Sequence, residues 1–264
     1  MTAAPPPPRP LVFITGASSG IGQALALRYY QAGWRLGLQA RRTAVVSDWA
    51  QGLNLDPARW AVYGADVVDA AGMAAAAQAC VQAQGLPDTV IASAGVSIGV
   101  DTALPEDLPV FKQVLDTNLY GTATTFQPFI EPMRQRGSGR LVGVASVAAI
   151  RGLAGHGAYC ASKAGVVAYC EALRIECRER GVQVVTIVPG YVDTPLTRVN
   201  SYAMPFLMPA EAFADKSFRT IEAGISYRVI PWQMGVVAKL MRLLPNALFD
   251  KLFSGRGRKP RAQR

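Results

Sequence analysis

The sequence predicts a single-domain α/β fold built on a doubly wound parallel sheet. Short apolar segments of strand length alternate with longer segments of helical length along most of the chain. Strands that are apolar throughout, with helix-sized connections between them, are typical of parallel sheets covered by helices on both faces. The composition agrees, because 50% of the 264 residues are hydrophobic and only 17% are charged. A chain of this length fits one large α/β domain.

The pattern predicts six strands before Gly190 and one strand after it. Strands are expected at residues 11–15, 35–39, 61–64, 89–92, 140–145 and 183–188, with helices in most of the connections. Beyond Gly190 the pattern loosens. A helix at 210–223, a seventh strand at 226–230 and a helix at 233–244 then complete a domain over residues 10–254. Helical connections favour right-handed crossovers between parallel strands.

Both termini are predicted to lie outside the domain. Residues 1–9 contain a proline run and lack a basic segment followed by an apolar one, so we expect a disordered lead-in and not a secretory signal. The net charge is +9, and much of the excess comes from five basic residues near the end: Arg256, Arg258, Lys259, Arg261 and Arg264. We therefore expect a disordered basic tail at 255–264 and no nucleic-acid partner.

The cysteines indicate a reducing compartment and no metal site. Cys80, Cys160, Cys170 and Cys177 have no C-x-x-C spacing, and His156 is the one histidine in the sequence. Buried, reduced thiols are therefore expected, which suits a cytoplasmic protein. The sequence contains no uninterrupted apolar run of about 18 residues, the length that a membrane-spanning helix needs.

A glycine-rich turn follows the first strand. The strand LVFIT leads into GASSGIG, which places Gly16, Gly20 and Gly22 at the start of a helix. A helix N-terminus presents free N–H groups and the positive end of the dipole, and glycine lets an anion approach the backbone. A tight turn that needs glycine for packing alone is the alternative. The strand–turn–helix context favours a site for the pyrophosphate of a dinucleotide.

The end of the second strand indicates which dinucleotide binds. A carboxylate at this point would accept a hydrogen bond from a free ribose 2′-OH, but the strand ends in Arg41 and Arg42. Guanidinium groups pair with a 2′-phosphate and stack on adenine. The alternative is that both arginines are solvated charges at the start of a helix. We expect NADP(H) in preference to NAD(H).

Five motifs occur in the order of a known family. They are TGASSGIG, TNLYG with Asn118, GVASVAA with Ser146, YCASK with Tyr159 and Lys163, and PGYVDT. Over about residues 10–195 the sequence resembles the short-chain dehydrogenase/reductase family. The resemblance implies a Rossmann-type fold, oxidoreductase activity and cofactor contacts at the following positions: Gly16, Ser18, Ser19, Gly20, Ile21, Gly22, Asp66, Gly95, Tyr159, Lys163, Pro189, Gly190, Val192 and Thr194.

The YCASK motif is predicted to transfer protons. On a helix, Tyr159 and Lys163 lie on one face about 6 Å apart, where an ammonium group lowers the pKa of a phenol. Tyr159 then acts as general acid on a carbonyl oxygen, and Ser146, after the fifth strand, donates a hydrogen bond to that oxygen. By resemblance, Lys163 also holds the nicotinamide ribose, and Asn118 holds a water that links Lys163 to solvent.

Two positions depart from the family or have no assigned role. Residues 92–95 read Ala-Ser-Ala-Gly where the family usually has Asn-Asn-Ala-Gly, so the contacts that brace the central sheet are expected to differ. His156 lies three residues before Tyr159 and either lines the substrate pocket or is an ordinary loop residue.

Residues 195–224 occupy the position of the family's substrate lid. The segment from 195 to 209 is apolar, with these large side chains: Leu196, Tyr202, Met204, Phe206, Leu207 and Met208. They contact the substrate or pack against the C-terminal helix, and the sequence leaves both readings open. We expect hydrophobic ketones or aldehydes, or their alcohols, as substrates, and find no charged anchor for them.

Three classes of function fit these observations. They are an NADP-dependent carbonyl reductase, a non-catalytic NADP-binding redox sensor and a lipid ketoreductase at a membrane surface. The complete set of Asn118, Ser146, Tyr159 and Lys163 favours the first. The segment GVVAKLMRLLPNALFDKLF resembles an amphipathic anchor and supports the third, although its burial against protein is the favoured reading. Deletion of residues 255–264 is then expected to leave folding and turnover unchanged.

A homodimer or homotetramer is expected. The predicted helices at 108–121 and 158–180 carry four apolar residues that we assign to a subunit contact: Val110, Val114, Val167 and Leu173. The family commonly pairs these helices across a two-fold axis.

Overall fold

A computed structural model describes residues 9–200, 202–254 and 259–261. Its centre is a sheet of seven parallel strands in the order β3-β2-β1-β4-β5-β6-β9. Among the described residues the strands, which include a separate pair formed by β7 and β8, are β1 (Leu11–Thr15), β2 (Arg35–Ala40), β3 (Trp60–Gly64), β4 (Thr89–Ala92), β5 (Gly139–Val144), β6 (Val182–Pro189), β7 (Val192–Asp193), β8 (Met208–Pro209) and β9 (Tyr227–Ile230). The predicted doubly wound sheet is confirmed.

Helices cover both faces of this sheet. In the described part of the chain they are α1 (Gly20–Gln31), α2 (Thr43–Gly52), α3 (Ala70–Gln84), α4 (Leu108–Leu115), α5 (Gly121–Arg136), α6 (Gly157–Arg178), α7 (Pro195–Arg198), α8 (Ala210–Glu222), α9 (Trp232–Leu243) and α10 (Asn246–Phe253). The apolar layer beneath α3, α5 and α6 includes Phe13 and Phe129, whose ring centroids are 5.0 Å apart. The opposite layer, beneath α1, α2 and α8, includes Leu25 and Phe213.

The strand order determines where a ligand site forms. β1 pairs with β2 on one side and with β4 on the other, so the chain reverses direction across the sheet at this point. In open parallel sheets, the crevice beyond the carboxyl ends of two such strands is the usual ligand site. Thr15 and Ala92 end β1 and β4 at this crevice.

The lid is shorter than the sequence indicated. β7 pairs with β8, with Val192 opposite Met208, and this small sheet closes the segment between them into a loop. Beyond it, α8 packs against α1: Arg28 Nε lies 3.0 Å from Asp215 Oδ1. Since α8 is part of the layer over the central sheet, only about residues 195–209 remain available as a lid, and the expected extent to residue 224 is wrong.

Two of the four residues assigned to a subunit contact lie inside the subunit. Val114 and Leu173 are buried, Leu173 in the layer beneath α6 and Val114 in a small cluster with Val100. Val110 and Val167 are half-buried. The apolar periodicity of these helices did not distinguish the face that packs in the core from the face at the surface, because both faces carry apolar residues.

The expectation of a disordered tail is wrong for residues 259–261. Arg261 forms a β-bridge with Gly99, and its guanidinium donates to both carboxylate oxygens of Asp107 at 2.7 and 2.8 Å. Residues 255–258 and 262–264, like the lead-in at 1–8, lie outside the described residues. Within the described ranges, no helix has both the length and the apolar character to cross a membrane.

Candidate active site

The glycine turn brings backbone segments into close contact at the crevice. A Cβ atom on Gly16 would lie 2.8 Å from Ala94 Cα, and one on Gly22 would lie 2.4 Å from the carbonyl oxygen of Gly16. Both positions therefore require glycine. Ser19 is the N-cap of α1, but its side chain makes no capping hydrogen bond. The first-turn N–H groups of α1 are oriented to bind an anion at this turn.

Beside the turn lies a cavity of about 250 Å³ lined by residues that follow β1, β2, β3 and β4. Arg42 Nη2 donates to Ser18 Oγ at 3.3 Å, and Arg41 Nη1 lies 3.4 Å from Asp66 Oδ2. Both arginines are exposed. The structure thus brings these predicted cofactor residues together, and it adds a carboxylate partner for Arg41 that the sequence of β2 did not reveal.

The described residues fit a bound dinucleotide. Gln39, at the base of the cavity, donates through Nε2 to the carbonyl of Ala65 at 2.6 Å, while its buried Oε1 has no hydrogen-bond partner in the described part of the chain. A buried acceptor without a partner is costly and suits a ligand that donates to it. The turn at Gly16–Gly22 would hold the pyrophosphate, and the cavity would hold the adenosine end.

Tyr159 and Ser146 meet at the other end of the crevice. Tyr159 lies in the first turn of α6, and Ser146 follows β5 and caps a short 3-10 turn by accepting from the N–H of Ala148 at 3.2 Å. Tyr159 is partly exposed toward a cavity, yet burial raises the pKa of its phenol, and a hydrogen bond from Ser146 opposes that rise. The expected lowering of this pKa is therefore not met in the structure.

Lys163 does not directly contact the phenol. Its Nζ lies 5.9 Å from the centroid of the Tyr159 ring and donates to the carbonyl of Val144 at 2.8 Å. Burial lowers the pKa of this ammonium from 10.5 to about 8. A lysine held at the end of β5 is well placed to polarise the crevice, but in this structure burial, and not Lys163, controls the pKa of Tyr159.

Asn118 lies in a π-helical turn, Asp116–Tyr120, between α4 and α5. Its Oδ1 accepts from the N–H of Val96 at 2.8 Å, and its Nδ2 donates to the carbonyl of Val96 and to Ser162 Oγ, both at 2.9 Å. Ser162 Oγ in turn donates to the carbonyl of Tyr159 at 2.8 Å. This network fixes the start of α6 against the strand-end loop. The water-holding role of Asn118 stays a prediction.

Sequence reasoning missed Ser162, although its spacing carried a signal. It lies three residues after Tyr159 and therefore on the same helical face. Gly95 packs into the same network, since a Cβ there would lie 3.2 Å from Asn118 Oδ1 and 3.6 Å from Lys163 Nζ. The altered residues 92–95 are braced by Thr15, whose Oγ1 accepts from the N–H of Ser93 and of Ala94.

The residues that follow β6 lie against both the glycine turn and α9. A Cβ on Gly20 would lie 3.3 Å from Thr194 Cβ, which places Thr194 beside the turn. A Cβ on Gly190 would lie 2.7 Å from Met234 Cγ, and Val192 is buried in β7. The predicted positions from Pro189 to Thr194 therefore lie between the phosphate turn and α9.

A large apolar cavity adjoins the smaller cavity that contains Tyr159. It has a volume of about 540 Å³ and is lined by residues of the lid and of α9, including Tyr202, Met234, Val237 and Met241. A smaller cavity that contains Ser146 and Tyr159 shares several of these walls. The lid and α9 face each other across the cavity, and contact of the lid with a substrate stays a prediction.

His156 lines this cavity and contacts the lid. Its Nδ1 lies 3.1 Å from the carbonyl of Ala154 and its Nε2 lies 3.2 Å from the hydroxyl of Tyr202. Because a carbonyl only accepts, Nδ1 carries the proton and Nε2 accepts from Tyr202 in the neutral ring. Burial lowers the pKa of His156, which favours that neutral form.

Helix α9 has two apolar faces. Val237 and Met241 face the cavity, whereas the opposite face is exposed at Trp232 (66%), Leu240 (60%) and Leu243 (79%). One face of α9 therefore lines the cavity. The expected burial of the whole apolar stretch is wrong for the other face, which the described residues do not cover.

Lys259 enters the smaller cavity and was not predicted. Its Nζ donates to Asn200 Oδ1 at 2.6 Å and to the carbonyl of Leu196 at 3.3 Å, and the residue is only 5% exposed. In the sequence it is one basic residue of a basic tail, so no local pattern distinguishes it.

The fold and this site together define a dinucleotide-dependent oxidoreductase, and comparison with known proteins gives its family. Residues 10–204 match the model of the short chain dehydrogenase family. The chain is 38% identical over 242 residues to an uncharacterized oxidoreductase of Myxococcus xanthus, covering 90% of this chain and 93% of the relative. It is also 32% identical to an uncharacterized oxidoreductase of Mycobacterium tuberculosis, covering 91% and 96%.

A solved short-chain dehydrogenase from Streptomyces avermitilis has the same fold, with a TM-score of 0.74 at 19% identity, over 92% of this chain and 96% of that one. The protein belongs to the short-chain dehydrogenase family. It is an oxidoreductase that uses a nicotinamide cofactor.

Proposed function

We propose that the protein is an NADP(H)-dependent carbonyl reductase that interconverts hydrophobic ketones or aldehydes and their alcohols. One observation carries the proposal. Tyr159 and Ser146 lie in a cavity that shares walls with an apolar cavity of about 540 Å³. Apolar cavities with a few convergent polar groups are typical of sites for small hydrophobic ligands.

The roles of the residues follow from their contacts. A bound nicotinamide would supply the hydride for the carbonyl carbon. The Tyr159 hydroxyl donates its proton to the carbonyl oxygen as negative charge develops there, and the Ser146 hydroxyl donates a hydrogen bond to the same oxygen. Lys163 stabilises the resulting phenolate by its charge, and the network through Asn118 and Ser162 holds α6 in place.

The preference for NADP(H) is supported by Arg41 and Arg42. Both guanidinium groups line the cavity beyond β2, and both are exposed enough to reorient toward a 2′-phosphate. Asp66 holds Arg41 at 3.4 Å in an exposed ion pair, which is weak and easily exchanged for a phosphate.

The test is a panel of hydrophobic ketones and aldehydes followed by loss of NADPH absorbance, with NADH in parallel. We expect turnover of several members and a higher kcat/KM with NADPH. Tight NADPH binding with no turnover of any member would overturn the reductase and favour a cofactor-sensing protein instead.

A second candidate is a reductase of lipid carbonyls at a membrane surface. The exposed face of α9, with Trp232, Leu240 and Leu243, supports it, because Lys239 and Arg242 flank that face. Salt-sensitive flotation with anionic vesicles, lost in Leu240→Glu, is expected for this function. Absence of flotation at low salt contradicts it.

We also propose a homo-oligomer. Tyr120, at the end of the π turn, and Ile175 on α6 are 48% and 69% exposed, and half-buried Val110 and Val167 lie on the same pair of helices. Light scattering should give a mass of two or four chains, and a monomer mass at every concentration contradicts the proposal.

A further inference from the structure

We propose that Lys259 is a specificity-determining residue and that the substrate is an amphipathic carbonyl compound whose anionic group, such as a carboxylate, binds Lys259. Its apolar body would fill the large cavity. This inference rests on the proposed function, whose substrate class it makes narrower.

The segment that carries Lys259 is anchored through the two residues that follow it, Pro260 and Arg261. The N–H of Gly99 donates to the carbonyl of Pro260 at 2.9 Å, and Arg261 binds Asp107 through two hydrogen bonds. A Cβ on Gly99 would lie 2.1 Å from the carbonyl oxygen of Lys259, so the segment docks closely onto this glycine. Such a docked segment holds Lys259 in a defined position.

The ammonium of Lys259 has neutral partners in the structure. It donates to the amide oxygen of Asn200 and the carbonyl of Leu196, which leaves one of its three N–H donors. Among residues 9–200, 202–254 and 259–261, no carboxylate lies within 4.0 Å of it. Since burying a charge without an opposite charge is costly, an anionic ligand is the favourable partner here.

The charges around the small cavity are of one sign. Lys259 and Arg151 line it, and no aspartate or glutamate among the described residues does. Arg151 is already engaged, because its guanidinium donates to the carbonyls of Met241 and Leu244 and to Asn246 Oδ1. Lys259 is therefore the cation available to a ligand beside Tyr159.

The two cavities together have the polarity of an amphipathic ligand. Tyr159, Ser146 and Lys259 lie in the smaller one. The larger one adds apolar walls, including Val237 and Phe253. A carbonyl at Tyr159, an anion at Lys259 and an alkyl or aromatic body toward α9 satisfy every part of this site.

The kinetic test compares medium-chain keto acids, with the keto group at several positions, with their methyl esters. In the wild type, kcat/KM with NADPH should be higher for the acids. Lys259→Met should lower the ratio of kcat/KM for the acids to kcat/KM for the esters about tenfold or more. The acids should account for this change, because a hydrogen bond between charged groups is lost. Lys259→Arg should keep the ratio. The control is Lys251→Met, which changes an exposed lysine on α10.

A merely structural role of the segment would lower acid and ester turnover alike, and an unchanged ratio in Lys259→Met overturns the inference. A second measurement is independent of turnover. Calorimetry of the full-length protein with decanoate and with decanol should give a decanoate affinity about tenfold lower in Lys259→Met than in Lys251→Met. If the decanoate affinity differs between the two variants but no carbonyl compound is reduced, the proposed function fails and the anion site stands. Equal decanoate affinities overturn the site.

Discussion

In the proposed mechanism, Tyr159 is the residue that supplies the proton. Burial keeps the pKa of its phenol above the ordinary value, so the group is protonated throughout the neutral range. A protonated phenol suits carbonyl reduction, in which the protein must supply a proton. Oxidation of the alcohol needs the phenolate and is therefore expected to increase as the pH rises.

Tyr159→Phe tests this assignment. The ring keeps its packing, but the hydroxyl that donates the proton is removed, so carbonyl reduction should fall about a hundredfold or more. NADPH binding, measured by fluorescence titration, should be nearly unchanged. Tyr169→Phe, a tyrosine on the same helix that stacks on Phe126, serves as control. Full turnover in Tyr159→Phe contradicts the mechanism.

Lys163 makes stability depend on pH. Burial lowers the pKa of its ammonium to about 8, against 10.5 for a free lysine. Below about pH 8 the folded and unfolded chains are both protonated, and the folded state bears the cost of the buried charge. Between about pH 8 and 10.5 the folded protein has released the proton and the unfolded chain has not, so the free energy of unfolding rises with pH.

The comparison of wild type with Lys163→Met isolates this effect. From about pH 7 to about pH 10 the wild type should gain on the order of 2 kcal/mol of unfolding free energy relative to the variant. Urea unfolding at the two pH values measures it, because other titrating groups are common to both proteins. A pH-independent difference would show that the pKa of Lys163 is not lowered.

We propose that Arg41 and Arg42 determine the cofactor preference. Replacing both by alanine should weaken NADPH by about tenfold or more and change NADH little, because only NADPH offers a 2′-phosphate. We expect this modest loss of NADPH affinity because both side chains are exposed, and solvent weakens exposed ion pairs. Arg174→Ala, an exposed arginine on α6, is the control. Equal losses for both cofactors in titrations would refute the assignment.

Among the elements, the π-helical turn Asp116–Tyr120 holds the site together. It turns the buried side chain of Asn118 toward Val96 and Ser162, with three hydrogen bonds. Such turns are often found at functional sites. The turn thereby joins α4 and α5 to the catalytic start of α6.

Asn118→Ala should therefore affect both stability and activity. The N–H and carbonyl of half-buried Val96 lose their partner, at a cost of about 1–3 kcal/mol in unfolding free energy. Turnover should also fall, because Ser162 and the start of α6 lose their anchor. Gln113→Ala, at an exposed position of α4, should do neither. Thermal melting and steady-state kinetics provide the measurements, and a wild-type melting temperature in Asn118→Ala refutes the anchoring role.

The central strands were predictable to within about one residue. β1 and β4 are buried along their whole length, and a strand buried on both faces must be an unbroken apolar run. The π turn, the pair formed by β7 and β8, and the docking of Lys259 were not predictable. Each depends on a partner distant in sequence, such as Val96 for Asn118 or Gly99 for Arg261, and no periodicity records such a partner.

For the whole molecule, the docked segment changes the expected result of truncation. A chain that stops at residue 258 loses Lys259 from the cavity and leaves Asp107, which is 6% exposed, without Arg261. Its melting temperature should fall modestly and keto-acid turnover should fall more. Removal of 262–264 alone keeps both contacts and is the control. Unchanged melting and turnover would restore the expectation of a dispensable tail.

The candidate site is assembled from two parts of the chain, one inside and one beyond the match to the family model. The match to the family ends at residue 204, and the glycine turn, Ser146, Tyr159 and Lys163 all precede that point. Part of the lining of the two cavities lies beyond it, on α9, on α10 and at Lys259. Under the proposed function, substitutions in the last quarter of the chain are expected to change the substrate without altering the reaction. Chimaeras joined near residue 204 are a direct route to engineering selectivity in this scaffold.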